Sequence, residues 1–261
     1  MKRREPNGYE TYMENMFLVS KFLMGDIEKD KELGPAIRNH LFDKGEPITK
    51  RKLSEREAVF SDLFYGMSEI ARCFEYLNDA EIYIRSYPNA KGFKKAGITK
   101  TKYFRYHVEK YLEENYIMKC RLEAYVNFIK KFWRKVPEKS EEFKSLLEVI
   151  KTGFSGLENA RGGHVHRRRF TDPDLERLDT FDFFTGNIEK NKEFRPWYFY
   201  KERILFPQIR RKWKKTISLN NSNLRKLFKV IFDSLNTMVF GDGGILNRRF
   251  GNDVKSAFKF G

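Results

Sequence analysis

A chain of 261 residues that is 40% hydrophobic, with 25 Phe and 13 Tyr, carries enough apolar material for a buried core, which excludes intrinsic disorder as its organising state. Its 52 Lys and Arg outnumber 36 Asp and Glu, giving a formal charge of +16; this favours a polyanionic partner, nucleic acid foremost, although a Lys/Phe-rich composition also yields generic solubility charge. Two cysteines (Cys73 and Cys120) without a CxxC pair argue against a disulfide scaffold, no apolar stretch follows Met1-Lys2-Arg3-Arg4 as in a signal peptide, and no run reaches membrane-span length, so a cytoplasmic protein with no membrane partner is expected.

In chain order, Tyr12, Met16, Leu18, Val19, Phe22 and Leu23 predict a helix over 9–24. A shorter apolar segment around Ile37, Leu41 and Phe42 precedes a Gly/Pro/Lys loop near 44–52. Ser54-Glu55-Arg56-Glu57 reads as a capping box, and behind it Phe60, Leu63, Phe64, Met67, Ile70, Phe74 and Leu77 recur at helical spacing as far as the Tyr87-Pro88 stop. A linker over 89–100 leads to a second long helix with the face Phe104, Val108, Tyr111, Leu122, Val126 and Ile129, which ends before Pro137. A third, from Glu138, carries Phe143, Leu146, Ile150, Phe154 and Leu157. Asp172-Pro173 opens a short capped helix, 185–194 reads as loop, and helices are expected at about 197–215 and 222–239. The glycine-rich segment 241–261 reads as a mobile tail. No strand-type alternation is sustained, so the fold class is all-α. The expected division is 1–53 as N-terminal helices, 54–185 as a helical bundle, 186–240 as a basic helical extension and 241–261 as the tail.

Two of the four histidines lie in Glu158-Asn159-Ala160-Arg161-Gly162-Gly163-His164-Val165-His166, followed by Arg167, Arg168 and Arg169. The third helix runs up to Arg161, and the glycine pair ends it, since glycine takes the left-handed conformation that closes helices. Past that turn His164 or His166 can fold back over Arg161. In metal-free RNA cleavage a 2′-hydroxyl attacks the adjacent phosphate. Histidine can take that proton or protonate the 5′-leaving oxygen, and arginine can neutralise charge on the non-bridging oxygens. Arg161 and His166 have the chemistry for these roles, with His164 as a second acid/base and Asn159 and Glu158 in support. Arg167, Arg168 and Arg169 would hold a phosphate backbone. The other reading open to the same residues is Arg161 paired with Glu158 and the histidines idle in a basic loop.

Arg161-Gly162-Gly163-His164-Val165-His166 resembles the R-x4-H motif of HEPN-type helical domains. Tyr103-Phe104-Arg105-Tyr106-His107-Val108-Glu109-Lys110-Tyr111 and Ala80-Glu81-Ile82-Tyr83-Ile84 are similar to helices of a bacterial HEPN-like branch; the likeness spans about 55–178. The resemblance implies a long-helix bundle and a metal-independent endoribonuclease, often of a toxin–antitoxin or phage-defence system. It also implies a homodimer with an antitoxin or regulatory partner, in which Arg161 stabilises the phosphate and His166 is the catalytic histidine. Members usually place a polar residue after the arginine, where this chain has Gly162, and some members bind RNA without cutting it.

Further candidates are weighed by their surroundings. His164-x-His166 lacks the partners of a four-coordinate zinc site, and neither metal nor cofactor is expected. His107 is expected to be a packed, hydrogen-bonded core residue and His40 to be superficial. Gln208-Ile209-Arg210-Arg211-Lys212-Trp213-Lys214-Lys215, after Pro196-Trp197-Tyr198-Phe199-Tyr200, is the densest basic–aromatic segment and suits single-stranded nucleic acid. Of its residues, Arg210, Arg211 and Lys212 are the phosphate-binding candidates, while Trp197, Phe199 and Trp213 are expected to be buried. Gly241-Asp242-Gly243-Gly244 lacks the following Lys-Ser/Thr of a phosphate loop and reads as a turn.

Overall fold

A computed structural model of the chain describes residues 8–24, 55–85, 87, 91–161, 172–185, 192–241, 244 and 246–250. The elements are α1 (Gly8–Met24), α2 (Glu55–Tyr83), α3 (Lys91–Lys95), α4 (Lys100–Phe132), α5 (Pro137–Arg161), α6 (Pro173–Thr185), a 3-10 turn (Lys192–Phe194), α7 (Arg195–Tyr200), a π-helical turn (Lys201–Leu205) and α8 (Phe206–Val239). Among the described residues the only strand-type pairing is an isolated bridge between Phe240 and Leu246, and the fold is all-α. Among them, too, no helix is long and apolar enough to cross a membrane.

The chain divides into two compact units: one comprises Met1–Glu69, Leu122–Val149 and Lys226–Gly261, the other Ile70–Arg121 and Ile150–Arg225.

In the first unit α1 buries Tyr12, Met16 and Val19 as its helical spacing predicts, while Leu18, expected on the same face, is exposed because it lies a third of a turn or more away from Met16 and Tyr12. Tyr12 packs on Phe232 (5.2 Å between ring centroids) and Phe240 (5.1 Å). Its hydroxyl lies 2.6 Å from that of Tyr125, and burial pushes both phenols well up, so the pair is neutral and shares one hydrogen bond. On α2, Gly66 lies so close to the Tyr125 ring that an added Cβ would come within 2.8 Å of it. The end of the described chain belongs to this core. After α8 the chain reverses through Gly244, whose φ of 74° only glycine adopts without strain, and Asn247 N–H donates to the Val239 carbonyl at 2.9 Å. Phe240, Leu246 and Phe250 are buried, and Phe250 packs on Phe132 at 4.6 Å. The part of 241–261 that is described is therefore packed, where the sequence suggested a mobile tail; 251–261 lie outside the described residues.

In the second unit α4 buries Phe104, Val108, Tyr111, Leu112 and Met118 on one side, and its start is capped by Thr99, whose hydroxyl accepts the N–H of Lys102 at 3.1 Å. Pro137, which belongs to the first unit, opens α5 at the first-turn position where a missing N–H costs nothing. α6 is capped as expected, with Asp172 Oδ1 accepting the N–H groups of Asp174 (3.0 Å) and Leu175 (3.1 Å).

The two helices expected at 197–215 and 222–239 are one element, α8, with α7 and the π turn leading into it. The polar Asn220-Asn221-Ser222 run does not break it, because Asn221 is buried and satisfied. Its amide donates to the Leu77 carbonyl (3.1 Å) and to Glu81 (3.2 Å), and it accepts from the Tyr111 hydroxyl at 3.1 Å. The π turn arises where Pro207 cannot donate to the helix: the preceding N–H, of Phe206, reaches back five residues to the Lys201 carbonyl.

A candidate nucleic-acid interface

The sequence-selected catalytic residues lie at and beyond the end of α5. Arg161 is its last described residue. Glu158 and Asn159 belong to its final turn. Residues 162–171 lie outside the described residues and include His164, His166, Arg167, Arg168 and Arg169. Hence α5 delivers the backbone of Arg161, and the meeting of its guanidinium with an imidazole is not part of the described geometry. His40 falls outside as well.

The cations of α8 are described, and within the second unit they form a one-sided row. Ile209, Trp213, Ile217 and Leu224 are buried at three- and four-residue spacing or its multiples, which turns Arg211, Lys212, Lys214 and Lys215 outward. Arg210 is half-buried, its guanidinium 5.9 Å from the centre of the Phe206 ring. Arg211 Nε donates to the Pro207 carbonyl at 3.3 Å. Lys212 pairs with Asp174 of α6, and that hydrogen bond raises its pKa and keeps it cationic. Lys214 and Lys215 are exposed and form no ion pair among the described residues, so they are open to an outside anion.

The structure corrects the expected burial of the aromatics. Trp213 is buried at 7% exposure, but Trp197 is 48% and Phe199 43% exposed, and on α6 Phe183 reaches 81%. α7 is a single short helix with a ring at every position from 197 to 200, and one face cannot bury them all. Sequence reasoning also passed over Arg177 and Arg203. Arg177 donates to the Tyr200 hydroxyl at 3.1 Å, and Arg203 lies 5.2 Å from the Phe199 ring centre. The signal available was Phe181-Asp182-Phe183-Phe184 on α6, a ring-rich segment like that of α7.

An ion cluster holds these elements. Lys201, nearly buried in the π turn, pairs with Asp182 and with Glu202 (3.3 Å). Asp182 also accepts from the Thr99 hydroxyl at 2.8 Å, and Lys100 meets Glu202 at 3.2 Å. Two ammonium groups are thereby matched to two carboxylates, which makes this cluster a clamp between α4, α6 and the π turn. The buried Cys73 accepts from Arg121 Nη1 at 2.8 Å, and burial pushes its thiol up to about 11, so it stays protonated and unreactive near neutral pH.

His107 is half-buried at the surface rather than enclosed in the core, against Tyr103 (4.4 Å), Tyr83 (4.8 Å) and Tyr106 (5.2 Å). Burial lowers its pKa from the ordinary 6.5. The unfolded chain then takes up the proton first, and stability falls as pH drops through and below about 6.5. We expect His107→Gln to lose less thermal stability than the parent between about pH 7 and 5; parallel acid limbs in the two melting series would contradict this.

Among the described residues no group of three or more His, Cys, Asp or Glu is placed to hold a metal ion. No family model, curated protein or solved structure matches the chain.

Proposed function

We propose that this chain binds RNA and cleaves it without a metal, as a HEPN-type endoribonuclease acting as a homodimer in the cytoplasm, in a toxin or phage-defence role restrained by an antitoxin or regulatory partner. The observation that carries RNA binding is the outward row Arg211, Lys212, Lys214 and Lys215 on α8, in which two lysines have no acidic partner among the described residues. Such a row attracts phosphates and gains free energy from the counterions it releases. Cleavage rests on the R-x4-H resemblance. Arg161 stabilises the phosphorane-like charge, His166 transfers the proton, His164 orients or acts as the second acid/base, and Arg167, Arg168 and Arg169 seat the backbone. The second reading, a non-catalytic RNA-binding module, is favoured by one residue, Gly162, where the family usually has a polar side chain.

The test is RNA affinity against salt. The parent should lose affinity steeply with rising salt, and Arg211→Ala/Lys214→Ala/Lys215→Ala should flatten the log–log slope by roughly 0.7 for each phosphate no longer neutralised, about 2 in all. An unchanged slope would remove α8 from the interface. Binding by the parent without cleavage in EDTA would select the non-catalytic module.

A further inference from the structure

Phe181, Phe183 and Phe184 of α6, Phe194 of the 3-10 turn and Trp197 and Tyr200 of α7 form one connected surface cluster. Trp197 lies 5.4 Å from Phe194, 5.7 Å from Phe184 and 6.2 Å from Phe181, while Phe181 also meets Tyr200 at 5.7 Å. Trp197, Phe184 and Tyr200 stay partly open to water, and Phe183 almost wholly so. Leaving that much planar apolar surface wet is unfavourable, so the cluster is poised to be covered.

Charge decides what covers it. The carboxylates that interleave with these rings are taken up by cations from other elements: Asp179 by Arg105, Asp182 by Lys201 and Asp174 by Lys212. Among the described residues, Glu176 and Glu193 are the exposed carboxylates left, against the exposed guanidinium groups of Arg177, Arg195 and Arg203. Of those guanidinium groups, Arg177 already lies on a ring of the cluster, at Tyr200, and Arg203 lies on the neighbouring Phe199 ring of α7. The contacts Lys212–Asp174, Arg177–Tyr200 and Phe181–Trp197 then link the basic row of α8 to the aromatic cluster through one face of α6. An apolar protein partner has no use for the guanidinium groups, and a duplex hides its base faces inside its own stack. An unpaired strand offers both complements: flat bases for the rings and phosphates for the cations.

We propose that the α6–α7 cluster is a stacking platform for the bases of single-stranded RNA, with Trp197 as its central ring and Arg177 and Arg203 drawing the adjoining phosphates. This rests on the RNA-binding reading and adds the form of the substrate, unpaired strand, and the residues that select it.

The experiment measures binding of the full chain to a short labelled 2′-O-methyl RNA strand, which keeps base and phosphate but has no 2′-hydroxyl to attack. The same sequence is offered as a duplex and as single-stranded DNA, and the proteins are the parent, Trp197→Ala and Trp197→Phe. Trp197→Ala should weaken single-strand binding about tenfold, the loss of one base stack. It should leave duplex binding and the salt slope unchanged, and Trp197→Phe should restore most of the affinity. If the parent binds the strand and Trp197→Ala binds it equally well, the platform is overturned while RNA binding stands. If the parent binds no RNA, the RNA reading itself fails. Equal losses on strand and duplex, or a parent preference for the DNA strand, would also overturn the platform. So would sedimentation showing that Trp197→Ala breaks a dimer with strand affinity unchanged, which would assign the rings to a second copy of the chain.

Discussion

His166→Ala should lower metal-free RNA cleavage by about 10²–10⁴-fold, the range for loss of a positioned general acid or base, and leave RNA affinity within a factor of about two of the parent, a bound that follows from its role in proton transfer rather than phosphate holding. Arg161→Ala should cost cleavage roughly 10²–10³-fold, as removal of one preorganised charge-stabilising donor does elsewhere, with a further moderate loss of affinity because in the proposed mechanism its cation also meets the phosphate. The two losses should not add: the acid/base step and the stabilised charge serve one transition state, so the double variant should fall little below the weaker single one. His164→Ala separates an orienting role, a partial loss at all pH values, from a second acid/base, which removes one limb of a bell-shaped pH profile. A single-turnover assay in EDTA, run on the parent and each of these variants, reads all of these effects. Cleavage by His166→Ala at the parental rate would remove that residue from the reaction.

Phe250→Ala should destabilise the protein by about 3–5 kcal/mol, the usual cost of emptying a buried phenylalanine site. Phe250 is fully buried and packs on Phe132 at 4.6 Å. Its neighbour Arg249 lies 4.9 Å from the Trp133 ring centre, and Arg56 donates to the Leu246 carbonyl at 2.9 Å. Deleting the ring therefore opens a cavity against α4 within the first unit. Chemical denaturation should show a lowered midpoint with an unchanged slope. Were the segment a tail in solution, the change would stay within about 0.5 kcal/mol, as for ordinary surface substitutions. Deleting 251–261 provides a control that leaves Phe250 in place.

These two predictions differ in how far sequence reading reached. The long helices were legible because their apolar positions recur on one face: Leu63, Met67, Ile70 and Leu77 on α2, or Phe104, Val108, Tyr111 and Leu122 on α4, are all buried. The Asp172 cap was legible because capping is local chemistry. The continuity of α8 was not, since Asn220-Asn221-Ser222 is a breaker by local preference; only the distant Leu77, Glu81 and Tyr111 satisfy Asn221. The packing of Phe250 was hidden by the glycines around it, which permit a mobile chain and a tight reversal alike. The exposure of Trp197 depends on how many rings one short helix can bury, which spacing does not reveal. For the site, residue types and their order past Arg161 were readable, and so was the basic stretch of α8. Arg177 and Arg203 were missed because their place beside Tyr200 and Phe199 is made by tertiary packing.

The most direct measurement is the chemistry of the ends that the proposed cleavage would leave on RNA. Attack by a 2′-hydroxyl, with Arg161 stabilising the phosphate and His166 moving the proton, cuts each strand into a 2′,3′-cyclic phosphate and a 5′-hydroxyl, and it proceeds in EDTA. Mass spectrometry of a short unpaired RNA incubated with the parent protein and EDTA should show those ends, and a substrate 2′-O-methylated at the cut should stay whole. An RNA left intact, or fragments bearing 5′-phosphates, would contradict the account.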